Sequence, residues 1–404
     1  MLKLPNDIIV KETDIPSLGA LRQKGKAAFL SLPSLKDEAF KYTPVQNVLT
    51  DEMFQPSSCC NHFKECACEK NKLDFEAHCF FFCDGTLHEH FHLAEGMEAL
   101  PLSEALKNHE AAGHINKFDA TKHPFAALNL ACLEQGLFLR IEKTPSKPIV
   151  FFYQAKQQGL KNIYNVILLE KGVSAEIVEI FEGQNDAYLT NVVNEIFLAK
   201  EANLKHYKLQ NEGSSAAHIA FNRAEVKSNG CYESYVFQKG GKLSRHELEI
   251  CLLQENASAF LKAAYKIKGE TLVDTTTNIA HLKPFTTSDQ TIKGVVNENA
   301  HGVFQGKICV AKNAVQTKGY QLHKALLLSD GASVDVKPEL EIFADDVKCS
   351  HGATCGDLSK DELFYLRSRG ISEFKAREML TNAFLKTVFE DISNQNIKNL
   401  FENL

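Results

Sequence analysis

Tryptophan is absent from all 404 positions of this chain. No apolar run approaches the ~18 residues that a membrane-spanning helix needs. No block of like charges and no polybasic tail interrupts a formal net charge of -6. A general grip on nucleic acid, which needs a basic face, is therefore not expected, and neither is a membrane anchor. The phosphate-binding loop GxxxxGK[ST] is missing, as are GxGxxG, HExxH, GxSxG and CxxC. These absences count against ATP hydrolysis, dinucleotide-dependent redox chemistry and the common hydrolases. The N-terminal stretch MLKLPNDIIVKETD has no long apolar core and soon turns acidic, so no secretory leader is expected and the chain is assigned to the cytoplasm.

What is present is ordinary in bulk and unusual in detail. Hydrophobic residues make up 44% and charged residues 24%, enough for a sizeable core in a globular protein. The length allows one large domain with appendages, or two to three domains at roughly 150 residues each. Twelve cysteines in a reducing compartment are expected as free thiols: metal ligands, redox groups or small core hydrophobes.

Along the chain, apolar spacing predicts a helix over 14–30, stopped by Pro33, and a short helix over 101–111. The apolar run 128–139 fits a helix or a strand. From about 149 to 348 the pattern changes to short strand-like runs broken by Gly, Asn and Ser. One phrase recurs there: paired apolar residues, a polar corner with Gly or Asn, a small residue, then alternation. It appears at 168–177, 252–260, 295–303 and 327–334. Strand and corner repeated without helices is what a β-solenoid requires, and a β-sandwich fits the periodicity about equally well. Beyond 356 the chain is helical. Ser359 and Glu362 form a capping box, Gly370 suits a helix end, and Ser372 can cap a second helix with Ala376, Leu380, Ala383, Phe384 and Val388 on one face. Ile397, Leu400, Phe401 and Leu404 suggest a short last helix. That apolar stripe serves a partner or its own domain.

Three clusters carry metal-binding residue types. Cys59, Cys60, His62, Cys66 and Cys68 precede His78, Cys79 and Cys83, but the spacing fits no zinc module, and Phe80–Phe82 between the last two cysteines reads as a buried strand. His88, His90 and His92 alternate, which puts them on one strand face; the polar side of an amphipathic strand explains them more simply. In DDVKCSHGATCG at 345–356, Cys349 and His351 point the same way on an extended chain, so a thiolate and an imidazole can meet one borderline metal. Read alone, that segment is a turn with incidental ligands.

The same segment carries a resemblance. The runs PELEI at 338–342, ADDVKCSHGAT at 344–354 and LFYLRSRGI at 363–371 resemble the signature of the SufB/SufD family. Shorter matches are KDEAFKYT at 36–43 (Phe40 standing where the family has Trp), FAALN at 125–129, GGKLSR at 240–245, Asp274 to His281 with Ser288, and GVFQGK at 302–307. The resemblance implies a mainly β protein: a right-handed parallel β-helix core over 126–348, an N-terminal helical and mixed region over 1–125, and a C-terminal helical module over 349–404. It implies a non-catalytic scaffold working with a SufB-like paralogue and a SufC-like ATPase, the C-terminal helices docking the ATPase and the last strands pairing with the paralogue. A transient iron–sulfur cluster would form at that pairing, driven by ATP hydrolysis in the ATPase; a flavin is left open. Where SufB-type chains have a Cys-Asp-Ser sequence this chain has His323-Lys324-Ala325, which places it on the SufD-type side. His351 is then the expected cluster ligand, with Cys349 beside it and Cys355 an added thiol read as neutral. Self-pairing through the same strand edge would give a homodimer of the isolated chain. The rival readings are a cytoplasmic metal-binding protein using segment 59–92 and an exported polysaccharide-acting β-helix; the latter is disfavoured by the absent Trp and leader.

Overall fold

The computed structural model describes residues 13–31, 40–57, 73–88, 93–107 and 109–402. Two sheets dominate it. The first contains β1 (His78–Cys83), β2 (Thr86–His88), β5 (Ile149–Ala155), β7 (Ser174–Gly183), β9 (Asn203–Asn211), β11 (Cys231–Gln238), β13 (Ser258–Ile267), β15 (Thr287–Val296), β17 (Lys318–Leu327) and β19 (Lys348–Gly356). The second contains β3 (Met97–Pro101), β4 (Leu137–Ile141), β6 (Gly159–Leu169), β8 (Tyr188–Leu198), β10 (Ala217–Val226), β12 (Leu243–Leu252), β14 (Leu272–His281), β16 (His301–Val310) and β18 (Ser333–Ile342). From β4 onward consecutive strands alternate between sheets, and each strand from β4 to β17 pairs in parallel with the strand two places later. This is a β-solenoid of about eight turns. Parallel pairing from β4 to β19 settles the choice against a sandwich, whose sheets are antiparallel.

The recurring phrases are the corners. Those at 168–177, 252–260, 295–303 and 327–334 each join the end of one strand to the start of the next. Successive corners stack by backbone hydrogen bonds: Gly172 donates to Lys200 at 3.0 Å, Glu201 to Ser228 at 2.9 Å and Asn229 to Glu255 at 3.2 Å. The donors sit at positive φ, +73° for Gly172, +62° for Glu201 and +55° for Asn229, the left-handed region that Gly and Asn enter most readily. Turns consume between 26 and 32 residues, from the Ala217–Leu243 register to the His301–Ser333 register, which is why the phrase repeats irregularly.

Inward residues stack in columns. One column is a ladder of asparagines on successive turns: Asn165 donates to Asn194 and Asn194 to Asn222, both at 2.9 Å. Beside it lies a buried polar core. Glu179 accepts from His206 at 3.0 Å and from Tyr153 at 3.1 Å, and Glu212 pairs with His218 at 2.7 Å. Burial pushes fully enclosed Lys208 down to about 8 against the pull of Glu179 and Glu212. Apolar layers of Ile, Leu, Val and Phe close the interior above and below.

The N-terminal region covers the outer face of the second sheet. Helix α1 (Pro16–Ser31) crosses α2 (Pro124–Ala131) so closely that a Cβ on Gly25 would lie 2.4 Å from the Ala131 nitrogen. Asn129 of α2 donates to the Ile163 and Asn191 carbonyls at 3.0 and 2.8 Å, tying the helix to the sheet. Three segments of the family resemblance converge nearby. The Arg245 guanidinium lies 4.4 Å from the Phe40 ring centre and pairs with Asp274, which also accepts from Thr43. Both faces of the second sheet are thus buried at β8 and β10, which read as nearly continuous core.

Sequence and structure part in places. The single helix expected over 101–111 is two short ones, Leu102–Ala105 and His109–Ala112. The run 128–139 is helix first and strand after. Among the described residues seven cysteines are free thiols, but Cys83 is disulfide-bonded where a reduced thiol was expected; wholly buried at the end of β1, its sulfur is shielded from bulk reductant. On the second C-terminal helix Ala383 faces solvent while Thr381 and Leu385 are buried, because the packed face is rotated around the helix from the expected one, toward Thr381 and Leu385.

His123 joins α2 to the sheet. Its ring nitrogens lie 3.1 Å from Glu247 and 3.4 Å from Glu249. Burial opposes the imidazolium, yet hydrogen bonds and charge from the two carboxylates outweigh it and push His123 up to about 9. A raised folded-state pKa contributes stability that is complete below the free value near 6.5 and fades as pH rises through about 9. His123→Gln should therefore lose ~1–3 kcal/mol near pH 6, with the gap to wild type closing toward pH 10. Thermal unfolding of both proteins between pH 5 and 10 checks this; a gap independent of pH contradicts it.

Candidate functional site

The stack of parallel strands ends on β18 and β19. Each is the terminal strand of its sheet, so one row of backbone N–H and C=O groups on each has no strand beyond it. Burial falls at this end: nearly every residue of β18 and β19 is exposed or half-buried, unlike any earlier turn of the solenoid. Ile342 and Phe343 are apolar and exposed.

Register fixes what the last strand presents. Cys349, His351, Ala353 and Cys355 stand opposite Gly319, Gln321, His323 and Ala325 of β17. The β17 residues are all buried and inward-facing, so the β19 residues continue the inward columns into the open. Cys349 and His351 do share a face, as the sequence implied, and Cys355 shares it too. Cys349 is half-buried against Ile308, Val310 and Ala314, and burial raises its thiol above the ordinary value. His351 and Cys355 are exposed, and Cys355 is also raised by partial burial. A protonated thiol must lose its proton to become a ligand, which couples metal binding to proton release.

These donors do not make a complete site. Cys349 and His351, two residues apart, have Cα atoms ~6.6 Å apart and can share one ion, but Cys355, six residues from Cys349, is ~20 Å away and cannot join them. Among the described residues no three His, Cys, Asp or Glu side chains are grouped to hold a metal. The arrangement offers a thiol and an imidazole on an unpaired edge. Of the other candidates, Cys59, Cys60, His62, Cys66, Cys68, His90 and His92 lie outside the described residues. His78, Cys79 and Cys83 lie on β1, around the phenylalanine run that the sequence marked as a buried strand, and His88 on β2.

Sequence reasoning missed the floor beneath this edge. Tyr265 of β13 runs along the interior past two later turns; a Cβ on Gly294 or Gly302 would come within 2.1 or 2.6 Å of its ring or hydroxyl. Its hydroxyl lies 3.0 Å from Nε2 of His323, and the His323 ring stacks on Phe304, centroids 5.6 Å apart. Burial drives His323 down to about 4, so the ring is neutral near pH 7. The available signal was glycine opposite tyrosine on neighbouring turns, legible only once the register is known.

At the C-terminus, α3 (Lys360–Ser368) and α4 (Glu373–Lys386) follow their predicted caps: Ser359 accepts from the Glu362 amide at 3.3 Å and Ser372 from that of Lys375 at 3.4 Å. Leu385, Val388 and Phe389, with Ile397 and Phe401 of α5 (Gln395–Glu402), pack on Tyr207, Tyr235 and Phe237 of the first sheet. Helix α3 buries no residue. Phe364 is 74% and Phe374 80% exposed, with Tyr365 and Met379 also open.

Comparison with known proteins agrees with this geometry. Residues 151–384 match the SufBD core domain of SUF-system FeS cluster assembly. The chain is 29% identical over 374 residues to the iron–sulfur cluster assembly protein SufD of Escherichia coli, covering 91% of this chain and 87% of that protein. It is 37% identical over 209 residues to a SufBD family protein of Synechocystis, 52% of this chain and 46% of that one. It is 36% identical over 253 residues to the chloroplastic protein ABCI7 of Arabidopsis thaliana, 62% of this chain and 53% of that one.

Proposed function

The chain belongs to the SufB/SufD family, on its SufD-type side, and from that premise we propose that it is a non-catalytic scaffold on whose open solenoid end an iron–sulfur cluster is built. The family gives it a role in iron–sulfur cluster assembly in the SUF system. The observation that carries the finer reading is the half-site itself: His351 and Cys349 on the last inward column, beside unpaired strand edges.

In this reading a SufB-like paralogue pairs with β18 and β19, and its ligands complete the coordination that one chain leaves unfinished. Iron and sulfide are the cargo. His351 supplies a neutral imidazole, which grips iron less firmly than a thiolate and suits a cluster that must leave. Cys349 supplies a nearby thiol that gives up its proton only when metal arrives. The described residues include no phosphate loop, so energy would come from a SufC-like ATPase docked on the exposed aromatic side chains of α3 and α4. Closure of that partner would pull on α4, whose far half is packed on the first sheet, and so strain the end of the solenoid. No helix among the described residues is long and apolar enough to cross a membrane, and we assign the complex to the cytoplasm. A chain isolated without its partners would pair with itself through the same edge.

Two substitutions separate the parts. His351→Ala should leave the three-component complex intact on anaerobic purification and abolish cluster formation in cells; normal cluster maturation with the variant rules out the ligand role. Phe364→Glu with Phe374→Glu should lose the ATPase and keep the paralogue, because both rings stand clear of the solenoid. Co-purification of the tagged variant reads this directly, and retention of the ATPase contradicts the docking assignment.

A further inference from the structure

Directly beneath His351 lies Gln321, its register partner on β17. It is only 3% exposed, and neither its amide nitrogen nor its amide oxygen has a hydrogen-bond partner. Two residues on, His323 is fully buried, and its Nδ1 is likewise unpartnered. The Tyr265 hydroxyl lies 3.0 Å from Nε2 of that ring; with the hydroxyl as donor, the ring proton stands on Nδ1. An N–H donor and an amide are thus held unpaired in the layer below the last strand. Such groups are rare in a folded interior because each forfeits its hydration without recompense.

Room for them is built in. Gly306 faces Gln321: a Cβ there would sit 3.0 Å from the Gln321 oxygen and 2.5 Å from the Phe304 ring. Gly294 and Gly302 give way to Tyr265, which orients His323. Three glycines on inward positions thus make the room that the Tyr265, Phe304 and Gln321 side chains occupy. The last strand is ~4.8 Å above, within reach of an extended glutamine side chain.

We propose that Gln321 and His323 form the floor of the assembly site and donate N–H hydrogen bonds to inorganic sulfide held at the open end beside His351. This rests on the interface reading above and names which component of the cargo the buried layer recognises. The chemistry favours sulfur over a hard anion: the two donors are neutral, and no Lys or Arg occupies the inward positions of β17 or β19. Phosphate or sulfate in such a place would draw a cation. Neutral N–H donors are what tune iron–sulfur clusters, through hydrogen bonds to the sulfurs. Tyr265 acts through His323 by fixing its tautomer and is a positioning residue.

The test uses two apolar replacements that keep shape, Gln321→Leu and the double change Tyr265→Phe with His323→Phe. In the full-length chain each should unfold at or above the wild-type temperature, because unpaired buried polar atoms have been removed. A clear fall in unfolding temperature means that the groups serve the fold through bound water, and overturns the proposal. In the complex with both partners, reconstituted anaerobically with ferrous iron and sodium sulfide, both variants should keep iron. They should release sulfide about tenfold more readily and shift the cluster's reduction potential to more negative values. Sulfide retention and potential equal to wild type overturn the proposal and leave the assembly reading standing. A wild-type complex that takes up neither iron nor sulfide sinks the assembly reading, and this inference with it.

Discussion

A stack of parallel strands has to end, and the manner of its ending governs this molecule. Each strand from β5 to β17 satisfies its backbone on both sides. The last two satisfy only one side. Leaving that edge bare invites pairing with any strand that fits, and here the edge is long and partly apolar. The proposed ligand residues Cys349 and His351 lie on the same edge, so in the proposed complex metal binding and assembly would be coupled.

The rest of the chain protects the solenoid so that only this end stays open. The first complete turn is capped by β1 to β4, where β2 and β3 pair antiparallel with β1 and β4 and close the pattern. The N-terminal helices seal the second sheet through Asn129, Arg245 and His123, and the C-terminal helices seal part of the first. Inside, the asparagine ladder and the Glu179–His206 and Glu212–His218 pairs lock the register of successive turns. A one-residue slip would break every rung and bury unpaired charge. Rigidity of this kind holds the terminal strand in place without a turn above it.

The sequence showed this architecture unevenly. Four corners were legible, two of them through Gly172 and Asn256 at left-handed positions, and helix starts because Ser359 and Ser372 cap them. The choice between solenoid and sandwich was not, since both place apolar residues on alternate positions and only strand pairing separates them. Cys349 and His351 could be put on one face from strand alternation, but their function came from resemblance rather than from spacing. Gln321, His323 and Tyr265 carried no local signal: their meaning depends on which residues lie one and two turns away. Lys208 and its histidine neighbours were hidden for a related reason, since polar residues on a strand read as solvent-facing until both faces of the sheet are seen to be covered.

The most direct test of the central claim is spectroscopic. The complex should be isolated anaerobically from cells grown on ¹⁵N-histidine, and its reduced cluster examined by pulsed electron paramagnetic resonance. One strongly coupled imidazole nitrogen on the cluster, lost when His351 is replaced by Gln, is the predicted result. A cluster with no histidine coupling, or one unchanged by that replacement, would mean that the open end of the solenoid joins subunits without holding the cluster.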